Sequence, residues 1–413
     1  MPFVRFLIDG VRAMASGGRA YWTWLGVLAI LIGAGAAGYA VQLREGLVVT
    51  GMSDQVSWGF YIANFAFLVG IAAAAVLLVI PAYVFHRKDV KAVVLLGEGL
   101  AVAAVITAML FVIVDLGRPD RFWHMIPFIG RFNFPTSMLA WDVVVLNGYL
   151  ALNLMLPMYV LYQRYRGREP DLKLYFPVVV VAMFWAISIH TVTAFLFSAN
   201  SARPFWNIAL LAPRFIATAF VAGPALIILV LQVIRRTTRY PVSDSVIDML
   251  ALIMAVSLQI SLFFVIAELF TDFYNESTHA ASMRYLYFGL DGLAALTPFI
   301  WTAIALNVTA VVILSIHPLR RQRTLLNVAC VLAFVGIWLE KGMGLVVPGF
   351  IPTPLGEVFE YMPTGVELAV AAGIWATGAL VFTLLAKASI AIELGAVRER
   401  GVPAAGFAAA PNA

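Results

Sequence analysis

The sequence predicts an all-α, polytopic membrane protein of ten transmembrane helices, arranged as two four-helix bundles flanked by helices 1 and 10. Three observations carry this. First, 62% of the 413 residues are hydrophobic and 12% are charged, with a mean hydropathy of +0.94, whereas charged residues make up about a quarter of a soluble domain. Second, ten apolar stretches reach the roughly 20 residues that a bilayer crossing needs: 21–42, 58–85, 91–116, 137–163, 175–199, 209–235, 246–272, 291–316, 325–347 and 364–393. Third, 19 of the 27 Lys and Arg residues fall in the N-terminal segment, the even-numbered loops and the C-terminal tail. By the positive-inside rule both termini are cytoplasmic. The net charge of +5 therefore reports topology and not a nucleic-acid partner.

Along the chain, residues 1–20 set Phe3, Phe6, Leu7, Val11 and Met14 against Arg5, Arg12 and Arg19, the pattern of an amphipathic helix lying on the membrane surface. They lack the short apolar core and small-residue cleavage site of a secretory leader, so helix 1 is expected to be retained. Residues 21–57 hold helix 1 and an outer loop. Within it Gly33-Ala-Gly-Ala-Ala-Gly38 matches the dinucleotide fingerprint letter for letter. It lies inside an apolar span instead of between a strand and a helix, so it reads as a small-residue packing face. Residues 58–200 supply the first bundle, 201–347 the second, and 348–413 an outer loop, helix 10 and a tail. The outer loops 273–290 and 348–363, the latter stiffened by Pro348, Pro352, Pro354 and Pro363, either receive an extramembrane partner or are tied onto their own helices.

Cys330 is the only cysteine and lies in an apolar helix, so the chain builds neither a disulfide nor an iron–sulfur cluster. His86, His124, His279 and His317 fall at or beyond helix ends, which leaves His190 alone at membrane depth. Bis-histidine haem ligation inside the bilayer is not expected.

The chemistry-bearing segment is Asp115-Leu-Gly-Arg-Pro-Asp-Arg-Phe-Trp-His124, which closes helix 3, with Trp141-Asp142 opening helix 4. Ionisable groups at membrane depth are costly and default to function. Arg118, Arg121, Arg131 and Arg203 also depart from the charge rule on the outer side. In this topology His190 sits roughly 14 Å below the outer surface. An acid, a histidine, an arginine and aromatics at shallow depth suit a quinone, whose carbonyls need hydrogen-bond donors and whose reduction takes up two protons. A helix-end ion pair for Asp115 with Arg118, an interfacial role for Trp141 and an interhelical hydrogen bond for His190 are the bland readings of the same residues. Asp142, Tyr149 and Asn153 share a face of helix 4, and Glu98 near the inner end of helix 3 extends that line, so the four suggest a proton route to the cytoplasm. A second, weaker cluster comprises Gln259, Glu268, Asp272, Asn307, Glu340 and Lys341, with Glu340 and Lys341 expected to pair with each other.

Asp115-Leu-Gly-Arg-Pro-x-Arg-Phe-Trp, Leu139-Ala-Trp-Asp142 and Leu146-Asn-Gly-Tyr149 together resemble the NrfD-like family, the polysulfide reductase membrane subunits. The ten-helix length looks closest to the branch containing the membrane subunit of Qrc-type menaquinone reductase. The resemblance implies a haem-free anchor in the bacterial inner membrane that reduces menaquinone. Its electrons would come from an iron–sulfur subunit on the periplasmic side, with a multihaem cytochrome c and a further large periplasmic subunit as partners. Carried onto this chain, the quinone-site candidates are Asp115, Arg118, His124, Trp141, Asp142 and His190, with Asn64 matching less specifically. The alternatives are a quinol-oxidising anchor and a secondary ion or solute transporter.

Overall fold

The computed structural model describes residues 2–72, 75–274 and 280–402. Among the described residues ten helices are long and apolar enough to cross a membrane: helix 1 (Arg19–Glu45), helix 2 (Phe60–Val84), helix 3 (Val94–Asp115), helix 4 (Met138–Tyr165), helix 5 (Leu172–Ser198), helix 6 (Leu211–Thr237), helix 7 (Asp244–Tyr274), helix 8 (Thr297–Ser315), helix 9 (Arg323–Phe350) and helix 10 (Gly365–Glu393). The β pairing among them is one isolated bridge between Leu290 and Leu293.

Local chemistry sets the helix ends. The Asp171 side chain accepts from the Lys173 N–H and caps helix 5, and Thr364 with Glu367 forms a capping box on helix 10, each satisfying donors the first turn leaves free. Helix 8 starts at Thr297, six residues later than its apolar run, because Gly289, Asp291 and Gly292 all take positive φ and turn the chain before Pro298 opens the helix. Helix 9 continues to Phe350, past the expected 347, through a π-helical turn at Trp338–Met343.

Helices 2 to 5 pack in sequence, with helix 5 returning to helix 2, and helices 6 to 9 do the same. Helix 2 also touches helices 6 and 9, and helix 5 packs on helix 6. Helix 2 is apolar all round and 94% of its central window is buried, as expected for a helix at the centre of the assembly. Helix 1 is the opposite case, with 11% of its window buried. On helix 7, Leu252, Val256, Ile260, Phe263, Ile266 and Phe270 form an exposed apolar stripe. Such a surface is stable in lipid and not in water.

Helices 1 and 10 pair with each other and lean on helix 3. Their crossing is built on the glycine-rich segment: a Cβ added at Gly35 would lie 2.6 Å from the Cα of Gly373. The segment is therefore a close-packing face. Gly35→Leu is expected to wedge the pair apart and cost about 1–3 kcal/mol, read as a lowered Tm of the purified protein. Gly33→Leu, whose Cβ meets nothing within 4 Å, is expected to leave the Tm unchanged.

The N-terminal helix, Pro2–Met14, buries Phe6 against Tyr165 and Ile392 and leaves Phe3, Leu7 and Val11 exposed, which fits a surface-lying amphipathic segment. Of the outer loop 273–290, residues 275–279, with His279, lie outside the described residues, and Ala280–Phe288 is a short, largely buried helix. Loop 348–363 is tied down onto the helices of the molecule. Tyr361 donates to Glu367 (2.5 Å) and accepts from the Phe60 N–H (2.7 Å), and Glu360 accepts from the Ala295 N–H (2.7 Å). The exposed apolar side chains instead gather on the loop between helices 3 and 4, where Phe122, Trp123, Phe128, Ile129 and Phe134 face outward.

Candidate functional site

Asp142 lies about one turn into helix 4 from Met138, and His190 on helix 5 is eight residues, roughly 12 Å, from the Ser198 end of that helix. The structure brings them together through Thr193, whose hydroxyl donates to Asp142 Oδ1 at 2.8 Å. His190, Thr193 and Phe197 share one face of helix 5, and all three are buried with Asp142. Both ring nitrogens of His190 are buried without a hydrogen-bond partner. An unmet buried polar atom costs about 1–3 kcal/mol, so both nitrogens keep hydrogen-bonding capacity to spare. Above it, Phe197 packs on Trp58 (5.7 Å), Trp206 (5.5 Å) and Phe215 (6.1 Å), with Trp58 stacked on Trp206 at 5.6 Å. Through Phe215 on helix 6 the aromatic cluster places this face of helix 5 where the two bundles touch.

The same layer continues into the second bundle. Arg214 on helix 6 pairs with Glu268 on helix 7 and with Glu340 on helix 9, the latter at 3.1 Å. The Asn307 amide of helix 8 donates to the other Glu340 oxygen at 3.0 Å. Glu340 and Lys341 are thus not mutual partners. Adjacent residues on a helix do not face each other. Lys341 turns to the seam between the bundles: its ammonium would lie 3.2 Å from a Cβ added at Gly70 on helix 2 and is 4.0 Å from the ring centroid of Phe215 on helix 6. It makes no hydrogen bond and lies close enough to His190 for their charges to interact. Sequence reasoning missed Arg214; the available signal was an arginine directly after Pro213 inside an apolar span.

The remaining candidates are dispersed. Asp115 belongs to the side facing helices 1 and 10: Gln42 donates to the Val114 carbonyl (2.6 Å) and accepts from the Tyr61 hydroxyl (2.7 Å), while Asp115 Oδ1 is buried without a partner. The Asn64 Oδ1 accepts from both Trp338 (3.0 Å) and Trp375 (2.9 Å), and its amide donates to the Phe60 carbonyl. Asn64 therefore locks helices 2, 9 and 10 together and has little capacity left for a ligand. Arg118 is in the exposed outer loop, forked onto Asp120 at 3.0 and 3.1 Å, and that hydrogen bonding holds the Asp120 carboxyl below its usual range. Its expected partner, Asp115, does not pair with it. His124 stacks on Trp123 at 3.9 Å, and the Trp141 indole donates to the Pro135 carbonyl. Arg203 reaches the Phe350 carbonyl at 3.3 Å, steadying the loop after helix 9.

Tyr149, Asn153 and Glu98 are buried; Tyr149 donates to the Ala72 carbonyl at 3.3 Å and Asn153 to the Tyr149 carbonyl at 2.9 Å. Glu98 is near enough to Tyr149, Tyr83 and Tyr175 to act on them electrostatically. Among the described residues no group of three or more His, Cys, Asp or Glu side chains is placed to hold a metal ion.

Comparison with known proteins follows the same geometry. Residues 48–349 match the family model described as polysulphide reductase, NrfD. The chain is 29% identical over 397 residues to a putative membrane subunit of dimethyl sulfoxide reductase from Halobacterium salinarum, covering 87% of this chain and 88% of that one. It is 22% identical over 409 residues to a subunit of selenate reductase from Mesobacillus selenatarsenatis, covering 89% and 92%. A third relative is the integral membrane subunit of the Hdr-like menaquinol oxidoreductase of Archaeoglobus fulgidus, 24% identical over 394 residues and covering 92% and 95%. With ten helices long and apolar enough to cross a membrane and a family match across most of its length, the chain belongs to the NrfD family of oxidoreductase membrane subunits.

Proposed function

We propose that this chain is the quinone-interacting subunit of a multi-subunit respiratory oxidoreductase, and that menaquinone reacts at Asp142 and His190 near the outer, periplasmic face of a bacterial inner membrane. The observation that carries this reading is the buried imidazole with both nitrogens unmet, on the same helix face as Thr193, which holds Asp142, and as Phe197 of the aromatic cluster. A quinone carbonyl accepts from one imidazole N–H, and the Asp142 carboxyl exchanges a proton with the reacting oxygen. Thr193 orients that carboxyl. The exposed Phe122, Trp123 and Phe128 on the loop after helix 3 form the docking surface for a periplasmic iron–sulfur subunit, itself served by a multihaem cytochrome. In this reading the partner sits on a different loop from the two long ones singled out in the sequence.

The test is fluorescence titration of the purified chain with a short-chain menaquinone analogue. Saturable quenching is expected, because Trp58 and Trp206 lie beside the site, and His190→Ala is expected to weaken binding at least tenfold. Equal binding by the variant would remove His190 from the site. Glu98, Asn153, Tyr149 and Asp142 supply the proton from the cytoplasmic side in this reading. Glu98→Gln is then expected to abolish membrane-potential generation by the complex in proteoliposomes while leaving quinone affinity unchanged; full potential in that variant would exclude the route.

One observation favours the reverse direction as a second reading. Two relatives are named subunits of reductases of dimethyl sulfoxide and selenate, reactions that consume electrons, so a membrane subunit in that setting oxidises quinol. Following the redox state of a menaquinone pool supplied with the isolated complex separates the two directions.

A further inference from the structure

At the end of the molecule where helix 1 begins and helix 10 ends, a cavity of about 920 Å³ opens between the end of helix 2, the following loop and the start of helix 5. Four basic side chains border it: His86, Lys88 and Lys91 from the loop and Lys173 from helix 5. The single acid on its rim, Asp171, is engaged in capping the Lys173 N–H. Arg87 is turned away, forked onto Asp89 and bonded to Ser245. Among the described residues Lys88, Lys91 and Lys173 form no ion pair. The N-terminus of the 27-residue helix 5 also lies at this rim, adding the positive end of its dipole. The cavity's other walls are apolar, with Ala82, Phe176 and Pro177, and Val84 and Phe85 at its edge are exposed.

Two features select the ligand. The uncompensated positive charge calls for an anion, and phosphate esters suit clustered lysines at a membrane surface. The volume lies at the upper end of the range for whole small-molecule sites, and the apolar walls run out onto lipid-facing side chains, so a bare phosphate ion would use only the rim. We propose that this cavity is a binding site for an anionic phospholipid, whose headgroup phosphate is held by Lys88, Lys91 and Lys173 and whose acyl chains lie along Phe176, Val84 and Phe85. The π-helical turn at Ile80–Val84 and the left-handed backbone at His86 (φ 53°) shape the loop that presents the first two lysines. A smaller cavity of about 320 Å³ on the other side of Arg87 is also basic, but Arg87 pairs with Asp89, and Asp248 on its rim pairs with Arg323.

The experiment uses the delipidated full-length chain and native mass spectrometry, titrating phosphatidylglycerol or phosphatidylcholine. One phosphatidylglycerol is expected to be retained per chain in preference to phosphatidylcholine. The triple variant Lys88→Gln, Lys91→Gln, Lys173→Gln is expected to bind about a hundredfold more weakly. A control that removes three charges at the same face, Arg321→Gln, Arg398→Gln and Arg400→Gln, is expected to bind normally. Should the triple variant melt below the unaltered chain, Lys173→Gln alone is expected to lose several-fold without a change in Tm. Equal retention of the two lipids, equal loss in the control, or full displacement of phosphatidylglycerol by millimolar inorganic phosphate would each overturn the assignment, the last by making the site one for free phosphate.

Discussion

Asp142→Asn is expected to lower quinone-linked turnover of the assembled complex by two orders of magnitude or more. Asparagine keeps the shape of aspartate and still accepts from the Thr193 hydroxyl, which lies 2.8 Å from Oδ1, so the helix 4 to helix 5 contact survives. What disappears is the exchangeable proton. General acid–base groups contribute about 10²–10⁴-fold, and quinone reduction takes up two protons per pair of electrons. The assay is quinone-dependent turnover beside dye-linked activity of the partner subunits, which is expected to stay unchanged. Asp142→Glu is expected to recover part of the rate. Full activity in Asp142→Asn would take the proton-carrying role from this residue and leave it a helix-packing one.

Arg214→Met is expected to be the most destabilising single change. The Arg214 guanidinium is shared by Glu268 and Glu340 from two other helices, and each is buried. Removing it leaves two carboxylates uncompensated at membrane depth, which for broken buried pairs costs about 3–5 kcal/mol. The readout is Tm and the yield of folded protein from membranes. Adding Glu268→Gln and Glu340→Gln to Arg214→Met is expected to restore most of the loss, because the cost lies in the unpaired charge and not in the missing contact. Failure of that rescue would mean that the side-chain volume of Arg214 matters more than its charge.

Much of the architecture was legible in the sequence, and the reasons are physical. Every expected span has its counterpart, because lipid demands unbroken apolar helices and the chain has few ways to disguise them. The helix 8 boundary slipped because Leu290, Leu293 and Leu296 look like the start of a span, while positive φ at Gly289 and Gly292 is decided by turn geometry that hydropathy does not sense. The site was legible residue by residue but not as a constellation. Asp142 and His190 are both buried and are linked only through Thr193, which follows His190 on helix 5 and donates to the Asp142 carboxylate. Arg118 does not join them, because Asp120 two residues on offers it a bidentate partner in the solvated loop. Arg214 and the direction of Lys341 escaped notice for a common reason: both depend on helix rotation across the bundle interface, and an all-apolar helix carries little periodicity from which to read rotation.

The π-helical turn at Trp338–Met343 has a consequence for how this chain tolerates change in length. One extra residue is accommodated there, so Glu340 serves the Arg214 network while Lys341 reaches the opposite bundle. Deleting a single residue within the turn would return helix 9 to regular winding with the residues beyond it close to their present facing, so Phe350, which packs on Trp206 at 4.9 Å, would keep its place in the aromatic cluster. The loss would be local: with the bulge gone, Glu340 and Lys341 could no longer serve the Arg214 network and the opposite bundle at once. The extra residue is what lets one helix face both halves of the molecule.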